Sequence, residues 1–364
     1  MVFIKKIKNN RKNKYIMDQT STEAEYRALK IDSSSSLKDF SMDRKKYRKK
    51  YVYGERVEEK ENLAANMGRI VETLLLEPEE FDNRFYLSSC TGAPTGLMLE
   101  FTEALYKVTK AVTDEDGMVN ADFNELTQEA YKLSGFKIKY EAVMGKFIDS
   151  DAEVYYNEIR TVRSRNLTVI TLQEISNAEK IVEELKINDV TAGIVNLINS
   201  DRYTILDQYK IQGYVVDNHL FKSMLDKVVI DHRNKTVTPY DLKCVWSVEG
   251  FYEDYYLYRR AYIQAFLYFH AMLALAQDPN GPCFEYKVEY VQFIICDSIN
   301  YFNPLIYTLE LEDMEDAYNG FVHKGRTYPG VKSIISDLLW AQSTDIWHIS
   351  RKNYENKGIT NIKG

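Results

Sequence analysis

The chain has 364 residues, enough for one or two domains, and its 45% hydrophobic content can supply a sizeable core. A net charge of -7 excludes a protein that coats polyanions with its whole surface, but leaves room for a local basic groove beside an acidic site. The four cysteines, Cys90, Cys244, Cys283 and Cys296, show no C-x-x-C pair and no His at zinc spacing, so they read as free thiols in a reducing compartment.

Residues 1–30 read as a basic, disordered tail with a second start at Met17, and the first fourteen lack an apolar core of signal-peptide length. Residues 31–96 read as the N-terminal helical part of a larger core. The stretch Asp32–Phe40 has helix N-cap chemistry in its serines. Arg44–Lys50 is basic at six of seven positions, which suits a solvated helix face and a phosphate-contacting patch equally well. Residues 61–76 predict a helix, since Leu63, Met67, Ile70, Val71, Leu74 and Leu75 recur at helical spacing and Pro78 ends the run.

Residues 97–200 read as a helical insertion or cover, with a loop at Thr113–Asn120. Thr171 and Glu174 form a capping box that opens a helix running through Leu185. In residues 201–345 the pattern switches to period two. Ile205–Val216, His219–Ile230 and Thr236–Val245 predict a three-stranded antiparallel meander. A long helix, Glu253–Ala276, follows, then strand-like runs at Tyr286–Cys296 and Leu305–Leu311 and a closing helical segment. Residues 346–364 read as a frayed tail. The longest apolar stretch, Ala261–Ala276, is interrupted by Gln264 and His270 and is too short to span a bilayer, so the expectation is a soluble, cytoplasmic protein with no membrane partner. The expected fold class is α/β or α+β, a mixed central sheet flanked by helices with an added helical segment.

Chemistry concentrates in the meander. Strand alternation puts Asp241 and Lys243 on one face and turns Leu242 into the opposite layer. A hairpin brings Asp226 alongside Asp241, and two carboxylates beside one ammonium call for a cation. Hard oxygen ligands favour Mg²⁺ or Mn²⁺. D-x-K alone is common by chance, and a surface ion pair explains it as well. Three features shift that balance. Both strands are otherwise apolar. Gly68-Arg-Ile-Val-Glu72 adds a carboxylate on a helix after a glycine that permits close packing. Gln264 and Tyr268 share a helix face that Arg260 extends by a turn.

G-x-x-x-E, then Asp, then D-x-K, then Q-x-x-x-Y, in that order, resembles the PD-(D/E)XK nuclease superfamily. It looks most like the branch with RecB-type domains, RecE-type exonucleases and lambda-type phage exonucleases, and Met67–Phe85 is similar to the RecE-type helix. RecE-type members usually carry His where this chain has Glu72; other branches carry Glu. The resemblance implies a restriction-endonuclease-like core in which Glu72, Asp226, Asp241 and the Leu242 carbonyl ligate metal. It makes Lys243 the catalytic lysine, with Gln264 and Tyr268 orienting the site. It also implies DNA contacts by Ser35, Ser36, Lys38, Arg44, Lys45 and Arg260, although plain helix capping explains the serines equally well. Some relatives hold an iron–sulfur cluster through one early and three late cysteines; the cysteines here do not reproduce that clustering, so none is expected.

The implied function is a Mg²⁺-dependent exonuclease that resects linear double-stranded DNA, 5′ to 3′, for recombination in a phage-like context, in the host cytoplasm if phage-encoded. The implied partners are DNA, a single-strand annealing or recombination protein, and further copies in a homo-oligomeric ring. Two other readings stand beside it: a single-strand or structure-specific nuclease of replication or repair, and a catalytically silent DNA-binding subunit. His270 reads as a core or edge residue, Trp246 as packing beneath the site, and the aromatic run Phe251–Tyr262 as helix packing ahead of a stacking surface.

Overall fold

The computed structural model describes residues 22–55, 63–90, 92–114, 116–301 and 303–360. The expected tail at 1–30 therefore lies largely outside the described residues. The chain divides into two compact units, residues 78–178 and the remainder. Among the described residues no helix is long and apolar enough to cross a membrane.

The 78–178 unit is mainly helical. A short parallel pair, β1 (Phe85–Leu87) and β2 (Thr168–Ile170), accompanies helices Gly96–Ala111, Phe123–Leu133, Tyr140–Phe147 and Asp151–Arg165. Phe101, Leu105, Phe147 and Tyr156 are buried together, and the Tyr156 hydroxyl finds Thr109 Oγ1 at 2.8 Å. The loop expected at 113–120 is present, closed by Asp114 accepting the Asp116 and Met118 N–H groups. The β2 strand was not legible because three residues are too few to show a period.

The larger unit is built on a mixed sheet. β3 (Tyr203–Val216), β4 (His219–Asp231) and β5 (Thr236–Val245) form the expected antiparallel meander. β5 then pairs in parallel with β6 (Lys287–Val288) and β7 (Gln292–Asp297), and β8 (Leu305–Tyr307) runs antiparallel to β7. The single strand expected over Tyr286–Cys296 is thus two, and Leu305–Leu311 gives a three-residue strand before a helix at Leu311–Asn319.

Helices cover both faces of this sheet. Ala261–Ala276 packs against β3, β4, β5 and β6 and is buried nearly all round, as its continuous apolar sequence dictates. Leu63–Leu76 packs against β4 and β5. Leu242 lines a small cavity with Leu75, Leu76 and Ile294, which confirms that it points into that second layer. An added Cβ at Gly68 would sit 3.7 Å from Cys244 Cβ, an ordinary contact, so the helix does not need glycine there.

The long helix expected from Glu253 is broken. Tyr252–Tyr258 forms a wide π-type turn, and Arg260 takes a left-handed conformation (φ 57°) before the straight helix begins. No Gly or Pro marks that break. Phe251, Tyr256 and Tyr262 are buried, so the aromatic run is mostly packing, with Tyr252 and Tyr258 exposed.

The N-terminal segment is pinned to β4. Asp32 accepts hydrogen bonds from Ser36 Oγ (2.7 Å), Tyr47 Oη (2.8 Å) and His219 Nε2 (2.8 Å). Burial works against the Asp32 charge, but these partners hold its pKa below the usual aspartate value. A depressed carboxylate stabilises the fold above its unfolded pKa and loses that contribution as pH falls. Asp32→Ala should therefore destabilise the protein by about 2–3 kcal/mol at pH 7. Urea unfolding should show the gap to the parent shrinking toward pH 3, and a gap independent of pH would contradict this account.

Candidate active site

The site forms where a strand pair stops early. β4 and β5 pair from Asp231/Thr236 to Lys227/Tyr240, and the next rung would join Asp226 to Asp241. No such rung forms. The Asp226 carboxylate instead accepts the Leu242 N–H at 2.8 Å, satisfying with a side chain what the ladder leaves open.

Asp241 is fully buried. Its Oδ1 accepts Gln264 Nε2 at 2.5 Å, and its Oδ2 lies 2.6 Å from Lys243 Nζ. Among the described residues the Lys243 ammonium is the one partner of that second oxygen. Lys243 Nζ also reaches the Leu242 carbonyl at 3.4 Å. Burial works against the Lys243 charge, but Asp241 and Asp226 outweigh it and hold its pKa above the ordinary lysine value.

Gln264 links the sheet to its helix. Its amide donates to Tyr268 Oη at 3.0 Å, Tyr268 donates to the Met224 carbonyl at 2.6 Å, and Lys38 Nζ donates to Gln264 Oε1 at 3.3 Å. Burial and the Lys243 ammonium bring the Lys38 pKa down to about 8 against the pull of Asp241 and Asp39. Glu72 arrives from the other layer and accepts Gln208 Nε2 at 2.6 Å. Asp226 is pushed well above the usual aspartate range, first by burial, then by the charges of Asp241 and Glu72.

Glu72, Asp226, Asp241, Leu242, Lys243, Gln264, Tyr268 and Lys38 are thus brought together through direct contacts or shared electrostatics. Arg260 lies outside the helix and donates to Ser41 Oγ. Ser36 is buried and caps its own helix, accepting the Ser33 N–H at 2.8 Å, while Ser35 and Lys45 are exposed. Arg44 pairs with Asp337 and donates to the Ile349 carbonyl at 2.9 Å. Lys46 and Lys50 pair with Asp39, and Arg48 with Asp345, so much of the basic run is neutralised locally. Trp246 is 60% exposed, which corrects the expectation that it packs beneath the site. His270 is half-buried beside the Phe266 and Phe269 rings, and desolvation there takes its pKa down to about 4. Gln208 and the Met224 carbonyl carried no signal in the sequence. All four cysteines are free thiols.

These residues fit a hard divalent cation in part. Among the described residues no three His, Cys, Asp or Glu side chains are arranged to hold a metal as they stand. Asp241 Oδ2 and the Leu242 carbonyl nevertheless both lie within reach of the Lys243 ammonium, and the Asp226 carboxylate adjoins them through the Leu242 N–H. Mg²⁺ binds through one or two carboxylates and completes its shell with water and phosphate, so two carboxylates and a carbonyl suffice.

A carboxylate with a raised folded pKa costs stability as pH rises from its unfolded value through the raised one. Asp226→Asn keeps an acceptor for the Leu242 N–H and removes that cost. In chelator, its melting temperature should exceed the parent's at pH 8, and the difference should close near pH 4. An Asn variant that melts lower at pH 8 would contradict the assignment.

No protein-family model matches the chain, and no curated protein matches it. Among solved structures the chain is similar to a crystal structure from Eubacterium rectale provisionally named an exonuclease, at 11% identity, covering 94% of this chain and 89% of that one with a TM-score of 0.45. A likeness at that level carries no argument about function.

Proposed function

We propose that the protein is a Mg²⁺-dependent DNA nuclease, with Mn²⁺ as a substitute metal, acting as an exonuclease on linear duplex DNA. The observation that carries this reading is the meeting of Asp226, Asp241 and Lys243 at the opened end of the β4–β5 ladder. The resemblance of the motif order to RecE- and lambda-type exonucleases is what suggests 5′ to 3′ resection in a recombination pathway.

Asp226, Asp241 and the Leu242 carbonyl would hold the ion, with Glu72 reaching it directly or through water. When bound, Mg²⁺ makes a water more acidic and offsets the charge that develops on phosphate. Lys243, kept charged by its carboxylate neighbours, orients the attacking water or donates to a phosphate oxygen. Gln264 fixes Asp241 by its 2.5 Å bond, and Tyr268 anchors Gln264 to the β4 backbone.

End-labelled linear duplex with Mg²⁺ tests this directly. The parent should degrade it, and Asp241→Ala should lose metal affinity and activity together. Lys243→Ala should keep metal affinity and lose about 10²–10³-fold in kcat, the scale of removing one transition-state donor. Undiminished cleavage by Asp241→Ala would sink the reading.

The exposed Trp246 at the end of the strand that carries Asp241 and Lys243 favours a second reading, a nuclease that handles a single strand by stacking a base. Comparing linear duplex, circular, single-stranded and flapped DNA separates the two. Preference for single-stranded or flapped DNA, lost in Trp246→Ala, would select the second.

A further inference from the structure

We propose that Gln208 is a positioning residue, one that aims the Glu72 carboxylate at the cation site of Asp226, Asp241 and the Leu242 carbonyl. This rests on the metal-site reading above.

Gln208 lies inside β3, yet its backbone is left-handed (φ 46°), a conformation that L side chains rarely take within a strand. Its neighbours keep one register, Asp207 with Lys227 and Tyr209 with Leu225, so Gln208 stands opposite Asp226 and drops out of the ladder. β4 is therefore released from a partner at Asp226 on both sides, toward β3 and toward β5.

What the unusual backbone achieves is one contact. The Gln208 side chain is 7% exposed and gives Nε2 to Glu72 Oε1 at 2.6 Å. Glu72 is close enough for its charge to bear on Asp226. An amide suits this place better than a cation. Lys or Arg would orient Glu72 but also neutralise it and compete with the metal. The neutral amide fixes the carboxylate while leaving its charge in place, as partners of metal-ligating carboxylates commonly do.

Isothermal titration of the full chain with Mn²⁺ tests the proposal. Gln208→Gly relieves the left-handed backbone and deletes the amide, so it should melt no lower than the parent yet bind Mn²⁺ about tenfold more weakly. Gln208→Leu keeps the bulk and should show the same weakening. Glu72→Gln should weaken binding at least as much, and the double variant Glu72→Gln/Gln208→Gly no further than Glu72→Gln alone. Parent-like Mn²⁺ affinity in Gln208→Gly, or losses that multiply in the double variant, would overturn the role. Asp241→Ala separates the failures. If it abolishes Mn²⁺ binding while Gln208→Gly binds normally, only the positioning role falls. If it too binds normally, the metal site and this inference fall together.

Discussion

The hydrogen bond from the Leu242 N–H to the Asp226 carboxylate decides where the sheet ends and the site begins. Continuing the β4–β5 ladder by one rung would set two aspartates directly opposite each other, a destabilising pair of like charges. Leaving the rung out would strand a backbone donor. The side-chain acceptor resolves both. The strands part, and groups from both helical layers reach one place: Glu72 from Leu63–Leu76, and Gln264 with Tyr268 from Ala261–Ala276. On the β3 side, the left-handed Gln208 opens the same position on β4.

Such a site is held against its own electrostatics. Asp241 is fully buried and Asp226 nearly so, and burial followed by the Asp241 charge works against the charge on Asp226. The apolar frame keeps them from drifting to solvent. Phe251, Phe266, Phe293 and Tyr262 are among the largest fully buried side chains, all in the cluster that packs Ala261–Ala276 onto the sheet. A backbone fixed by that packing cannot relax to separate the carboxylates, so their charge must be met locally. Lys243 meets part of it, with its ammonium 2.6 Å from Asp241 Oδ2. Proteins break local rules of this kind at functional positions and compensate elsewhere.

The parts of this arrangement that follow a period were legible in the sequence. Asp241, Leu242 and Lys243 alternate across a strand, and Gln264 and Tyr268 lie one helical turn apart; in each case the contacts follow the spacing. The meander was legible from its β-branched runs and turn residues. What escaped depends on single backbone angles or on tertiary exposure. Arg260 has no composition signal for a left-handed residue, so the break before Ala261–Ala276 was hidden, and Arg260 reaches Ser41 instead of extending the helix face. Gln208 is the same case within a strand. Trp246 belongs to an apolar run by pattern, but the run ends at buried Val245 and the indole faces outward.

The distribution of positive charge follows from the same packing. The run from Arg44 to Lys50 is the most basic stretch near the site in sequence, yet Asp39, Asp337 and Asp345 take up Arg44, Lys46, Arg48 and Lys50 in ion pairs. Lys38 and Arg260 differ: their hydrogen bonds go to neutral groups, Gln264 and Ser41. Burial penalises both charges, lowering the pKa of each, so neither is stabilised by an acid in the way Lys243 is. On the proposed nuclease reading, a phosphate would relieve that penalty at Lys38 and Arg260, whereas at the basic run it would compete with carboxylates already in place. Of these two cations only Lys38 reaches Gln264, and through it the carboxylate that Gln264 orders; Arg260 is held at Ser41.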